Sequence, residues 1–171
     1  MESTYFSTMA QLAGVIVGFA NLANAIYRPD ISAKEFRLNK IRILASTEMG
    51  LINIIVCVLP IAFQSTSVSQ VSIMKALSVL LMIGVPLYAF AATSRSARLM
   101  GTRFPVPFYS KFYLYSGFFC GAIAGLNAFE IFGNSNLLFV YEMMVFYCFL
   151  LQSFLFIRLI HWILSTQEVN R

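Results

Sequence analysis

Charge is what this sequence has least of: Asp, Glu, Lys and Arg make up 11% of its 171 residues, against 59% hydrophobic ones. Soluble domains keep roughly a quarter of their residues charged, so this balance excludes an ordinary water-soluble fold. Histidine occurs once, at His161, with no HExxH pattern around it, so no metal site is expected. Cysteine occurs three times, and Cys57, Cys120 and Cys148 each fall inside an apolar run, which makes them small packing residues rather than a disulfide framework. No glycine-rich phosphate loop is present, and no nucleophile, base and orienting group can be assembled, so neither an enzyme nor a cofactor is expected. The opening "MESTYF" lacks the positive stretch of a secretory signal, and the first apolar run is expected to remain in the mature protein. No internal repeat is visible.

What the chain does have is apolar runs of membrane length. With roughly 20 apolar residues per crossing as the ruler, the sequence predicts a single all-α domain over residues 1–171, a polytopic helical bundle with five spans. These lie near residues 6–26, 44–64, 73–93, 107–132 and 137–164. Basic residues orient it. Arg28, Lys34, Arg37, Lys40 and Arg42 fill the first loop, Arg95, Arg98, Arg103 and Lys111 the third, and Arg158 and Arg171 the last end. With the N-terminus outside and the C-terminus inside, all of these fall on the inner side and only Lys75 on the outer, as the positive-inside rule requires. An odd span count also argues against a simple inverted-repeat transporter.

The pI near 9.3 is accounted for by those inner loops, which meet anionic lipid, so no nucleic-acid partner is expected. In "DISAKEF", Ser32 and Glu35 form a capping box and Ile31 with Phe36 a hydrophobic staple, which predicts a basic helix over 32–43 continuous with the second span. Lys34, Arg37 and Lys40, with Arg95 and Arg98 from the third loop, make a basic cytoplasmic surface for lipid headgroups or a soluble partner.

The first span "AQLAGVIVGFANL", the basic helix "RLNKIRILASTEMG" and a second span ending "VLPIAF" together resemble a broad group of small, poorly characterised bacterial membrane proteins. The resemblance covers roughly the first 65 residues. It implies a bacterial cytoplasmic membrane and transfers no site residue.

The first span carries polar residues that hydrocarbon does not welcome. At 100° per residue Ser7, Gln11, Gly14, Gly18, Asn21 and Ala25 fall within about 80° of one another. Gly14 and Gly18 allow close helix approach, and the amides of Gln11 and Asn21 need a protein or water partner, which predicts an inner helix. The fourth span places Gly117, Gly121 and Gly125 on one face, either against the first span or between subunits. Gly84 and Pro86 predict a kink in the third span. In the fifth, Tyr141 and Trp162 read as aromatic anchors at opposite interfaces, and His161 as a headgroup contact.

Ionisable groups in or near the membrane are the remaining pointers. Glu48 lies about one turn inside the second span, where it either pairs with Arg95 or Arg98 or serves an ion pathway. Glu130 and Glu142 flank the outer turn "GNSN"; repeated around a symmetry axis they would gather cations at a pore mouth. Together these features predict a homo-oligomeric ion channel or membrane-permeabilising pore. The alternatives are a non-conducting membrane subunit that anchors a soluble partner, or a small proton-coupled transporter using Glu48.

Overall fold

The computed structural model describes residues 3–26, 33–64, 66–101 and 108–169, with side chains described over 4–23, 40–64, 66–98 and 111–161. The described residues are helical, with no strand among them. The helices are α1 (Ser3–Ile26), α2 (Ala33–Phe63), α3 (Gln70–Met100), α4 (Phe108–Ala128) and α5 (Leu137–Val169), the last entered through a 3₁₀ turn at Asn134–Asn136. Four stretches are long and apolar enough to cross a membrane, Thr4–Ala23, Lys40–Phe63, Gln70–Arg98 and Asn134–His161, which marks a multi-pass membrane protein. Ser32, the expected cap of the second helix, lies outside the described residues; α2 itself runs unbroken from Ala33 to Phe63.

Local chemistry sets the helix ends. Ser69 caps α3 by accepting a bond from the Ser72 backbone N–H, and Gly101 closes the same helix in the left-handed conformation that glycine adopts without a Cβ penalty. The fourth run ends earlier than its expected boundary at 132. The Glu130 N–H bonds Asn127 O and the Ile131 N–H bonds Leu126 O, a Schellman closure with Glu130 at φ 60° where glycine is usual.

Packing organises the helices into two hairpins around a centre. α1 packs chiefly on α2 and α4 chiefly on α3, while α5 touches all four. The reason lies in the α5 sequence: Leu137, Tyr141, Met144, Cys148, Leu151 and Leu155 are buried and recur at alternating steps of four and three, the seam spacing of a helix that packs along its length. Tyr141, expected at a membrane interface, is instead fully buried, and its hydroxyl donates to Val56 O at 2.7 Å. That carbonyl needs the bond, because the residue four positions on is Pro60, which has no N–H to give it.

The second in-helix proline is used differently. Pro86 leaves Met82 O without its helical donor, and α4 presses against this turn through glycine. A Cβ on Gly121 would stand 2.4 Å from Pro86 Cγ and 3.0 Å from Met82 O; one on Gly117 would stand 2.4 Å from Ala89 Cβ. The α4 glycine face therefore packs on α3 within one chain, not on α1 as the antiparallel pairing of first and fourth spans suggests.

Candidate functional site

The polar stripe of α1 faces outward. Phe6, Met9, Ala13 and Ala20 form the buried edge of this helix, centred roughly 130° around it from the stripe. Ser7, Gln11, Gly18 and Asn21 are exposed, and Gly14 is half-buried with only Ile54 Cδ1 near it, at 3.9 Å. A Cβ on Gly18 would meet nothing within 4 Å. The expectation of an inner helix is thus corrected: in a single chain the small residues admit no neighbouring helix. Asn21 turns one amide hydrogen back to Val17 O at 2.9 Å, a local bond that satisfies part of its side chain.

Other amides fill the interior. Gln152 on α5 is fully buried; its Nε2 donates to Ala13 O of α1 at 3.1 Å, and its Oε1 accepts from Asn53 Nδ2 of α2 at 2.7 Å. Asn53 Nδ2 also reaches Cys148 O at 3.3 Å. Gly50 makes room for this clamp, since a Cβ there would lie 2.0 Å from Val17 Cγ2 and 2.7 Å from Gln152 Nε2. Towards the other end of the bundle Asn127 of α4 donates to Ser78 Oγ at 2.9 Å and to Leu137 O at 3.1 Å, tying α3, α4 and α5. Neither amide cluster appears among the sequence candidates, although Asn53, Asn127 and Gln152 each stand in an apolar run where hydrocarbon would reject them.

The candidate acids are mostly paired. Arg95 grips Glu48 with both guanidinium nitrogens, Nη1 to Oε1 at 2.8 Å and Nη2 to Oε2, and Tyr88 lies beside the same carboxylate. Such a fork fixes the Glu48 carboxylate in place, and it removes Arg95 from the free basic surface. Glu130 is ion-paired with Lys75, so the turn between α4 and α5 carries less net charge than its acids imply. Glu142 is half-buried, and its backbone carbonyl accepts from Tyr5 Oη at 2.9 Å.

The remaining candidates separate by exposure. Lys40 and Arg98 are exposed at the basic end, as is His161. The side chains of Lys34, Arg37 and Trp162 lie outside the described residues. Cys57, Cys120 and Cys148 are buried free thiols, and no group of metal-ligating side chains occurs among the described residues. Gly125 completes the α4 face against Met82, whose Sδ would be 3.0 Å from an added Cβ.

Comparison with known proteins adds nothing to these surfaces: the chain matches no family model, no curated protein and no solved structure.

Proposed function

We propose that the protein is a homo-oligomeric ion channel or membrane-permeabilising pore, in which the α1 stripe of each copy turns toward its neighbours and the aqueous path they enclose. The observation that carries this is the exposure of Gln11 and Asn21 on the outer surface of a bundle whose own interior is filled by side chains. Amides in hydrocarbon cost free energy unless another chain or water meets them. The small residues Gly14 and Gly18 between them permit the close helix approach that assembly in lipid relies on.

Each copy crosses the membrane five times, N-terminus outside and C-terminus inside. α4 supports the fifth crossing, because it retraces α3 from Gly117 beside Ala89 to Asn127 beside Ser78 and so returns the chain to the face where α5 begins. The basic end, with Lys40, Arg98 and the Glu48–Arg95 pair, then faces the cytoplasm. A bacterial cytoplasmic membrane is the setting that the N-terminal motifs favour. Cysteines at Ser67 and Ser135 should label from outside intact cells and one at Lys40 should not; labelling at Lys40 overturns the orientation.

A second assignment, a non-conducting membrane subunit that holds a soluble partner on its basic surface, is favoured by the Lys75–Glu130 pair, which weakens an acidic pore mouth. Proton-coupled transport through Glu48 loses its main support once Arg95 neutralises that carboxylate. Cation flux in liposomes containing the purified protein, measured together with the mass of the detergent-solubilised complex, tests the proposal. An oligomer with flux is expected. A monomer without flux removes the pore, and an oligomer without flux leaves the anchoring subunit.

A further inference from the structure

The seam between α4 and α5 holds a pair of groups that neither the stripe nor the amide clamps use. The two helices run antiparallel and stay in step along it. Phe112 meets Phe154, Phe119 meets Tyr147, and Asn127 meets the Leu137 carbonyl, so positions rising along α4 face positions falling along α5. That register sets Cys120 opposite Cys148, with the two sulfurs 3.9 Å apart in hydrogen-bond contact. Both are buried free thiols. Cys57 of α2 is a third buried thiol in the same core, but it forms no hydrogen bond with either sulfur. On the outer side of the seam Phe119 and Tyr147 line a groove that also reaches Ser116, one helical turn from Cys120.

We propose that Cys120 and Cys148 are a redox-closable pair, joined into a disulfide across α4 and α5 by a hydroperoxide dissolved in the bilayer. A disulfide needs its sulfurs about 2.0 Å apart, so each must move about 1 Å, a shift that a partial turn about each Cα–Cβ bond supplies. One sulfur attacks the terminal oxygen of the hydroperoxide, the O–O bond breaks, and the departing alkoxide takes the thiol proton to become an alcohol. The second thiol then attacks the sulfenic acid so formed: the S–S bond forms, the S–O bond breaks, and hydroxide leaves as water with the second thiol's proton. Two thiols are oxidised by two electrons, and one hydroperoxide is reduced to one alcohol and one water. The contact between the thiols serves both steps, since one S–H can donate to the attacking sulfur and then stands ready to trap the sulfenic acid before further oxidation. The product ties α4, which packs chiefly on α3, covalently to the central helix. The inference rests on the α4–α5 packing and is independent of whether the protein conducts.

The test treats the full-length protein, reduced and placed in liposomes, with cumene hydroperoxide, then alkylates the remaining thiols and maps the disulfides by mass spectrometry. The folded protein should lose two hydrogen atoms in mass and gain one cross-link, between Cys120 and Cys148, which dithiothreitol reverses. Cys57 should remain alkylatable and be consumed at least roughly tenfold more slowly than the pair, because it lacks a sulfur held against it. Cys57→Ala should close the cross-link at the wild-type rate; if that variant fails to fold, the map of the wild-type protein decides alone. Survival of all three thiols in the folded protein overturns the inference. So does oxidation of Cys57 as fast as the pair, or passage of Cys120 or Cys148 to sulfinic acid with no disulfide formed.

Discussion

Two sets of amides divide the molecule. Gln152 and Asn53 lie in the interior, where one side chain from α5 and one from α2 reach each other and the α1 backbone. Gln11 and Asn21 lie on the outside of α1, facing away from every other helix of the chain. Chemically the groups are the same, and each is out of place in hydrocarbon. The inner pair has partners within the chain and so explains how three helices are held. The outer pair lacks such interhelical partners among the described residues, and in the proposed assembly it is the neighbouring copies and the water between them that meet it. The glycines repeat the division: Gly50 and Gly121 sit where a Cβ would collide, while Gly18 sits in open space.

The largest effect should come from filling an inner glycine. Gly121→Leu drives a side chain into the Pro86 ring and the Met82 carbonyl, neither of which can shift without moving the α3 backbone, and should cost about 3 kcal/mol or more of stability. Thermal unfolding in detergent would show it, together with loss of folded yield. Gly18→Leu should leave the unfolding of the isolated chain unchanged.

Breaking the inner amide clamp comes next. Gln152→Leu leaves the buried Asn53 amide only its longer bond to Cys148 O and should destabilise by roughly 1 to 2 kcal/mol. Asn53 already leaves its own Oδ1 without a partner. The double variant Gln152→Leu, Asn53→Leu should therefore recover much of the loss, since removing both partners removes the stranded group as well. A double variant as unstable as the sum of the two singles would show that the amides do not act as a pair.

Smaller still should be the change from Glu48→Gln, about 1 kcal/mol, because the ion pair is partly open to its surroundings. Its stability should also lose dependence on the charge at position 95, so that Arg95→Gln adds little when placed on top of it. An additive double variant would place the Arg95 contribution elsewhere.

The smallest effect on folding belongs to the outer amides. Gln11→Leu with Asn21→Leu should change the unfolding of the monomer by no more than about 0.5 kcal/mol, as exposed positions usually do. Its consequence should appear in assembly or conductance, where a more apolar lining is prone to dewetting. If the double variant keeps its oligomeric mass and its full conductance, the stripe does not line the path.

Much of this architecture is legible in the residues. The apolar runs mark the helices, and the four-residue spacing of Gly117, Gly121 and Gly125 marks a close-packing face. Its partner is not legible, because the surface it meets is made by Pro86 in a different helix. The α5 seam can be read from the three-and-four spacing of Leu137, Tyr141, Met144 and Cys148, yet the aromatic richness of that run hides it. Tyr141 is misjudged from its nearness to the helix end, because the carbonyl it serves is freed by a proline 81 positions away along the chain. The direction of the α1 stripe is also not legible. Helical periodicity tells which residues share a face, and the cost of an amide in lipid tells that the face needs cover, but neither tells whether the cover comes from the same chain.

The central claim, that the α1 stripe is covered by another copy of the chain, is tested most directly by two glycines that differ only in where they stand. Gly18 and Gly84 both have nothing within 4 Å of an added Cβ in the single chain, but Gly18 lies on the stripe and Gly84 on the exposed side of α3. The mass of the solubilised complex should fall to that of a monomer in Gly18→Leu and stay at the wild-type oligomer in Gly84→Leu. A Gly18→Leu protein that keeps the wild-type oligomeric mass would contradict the account.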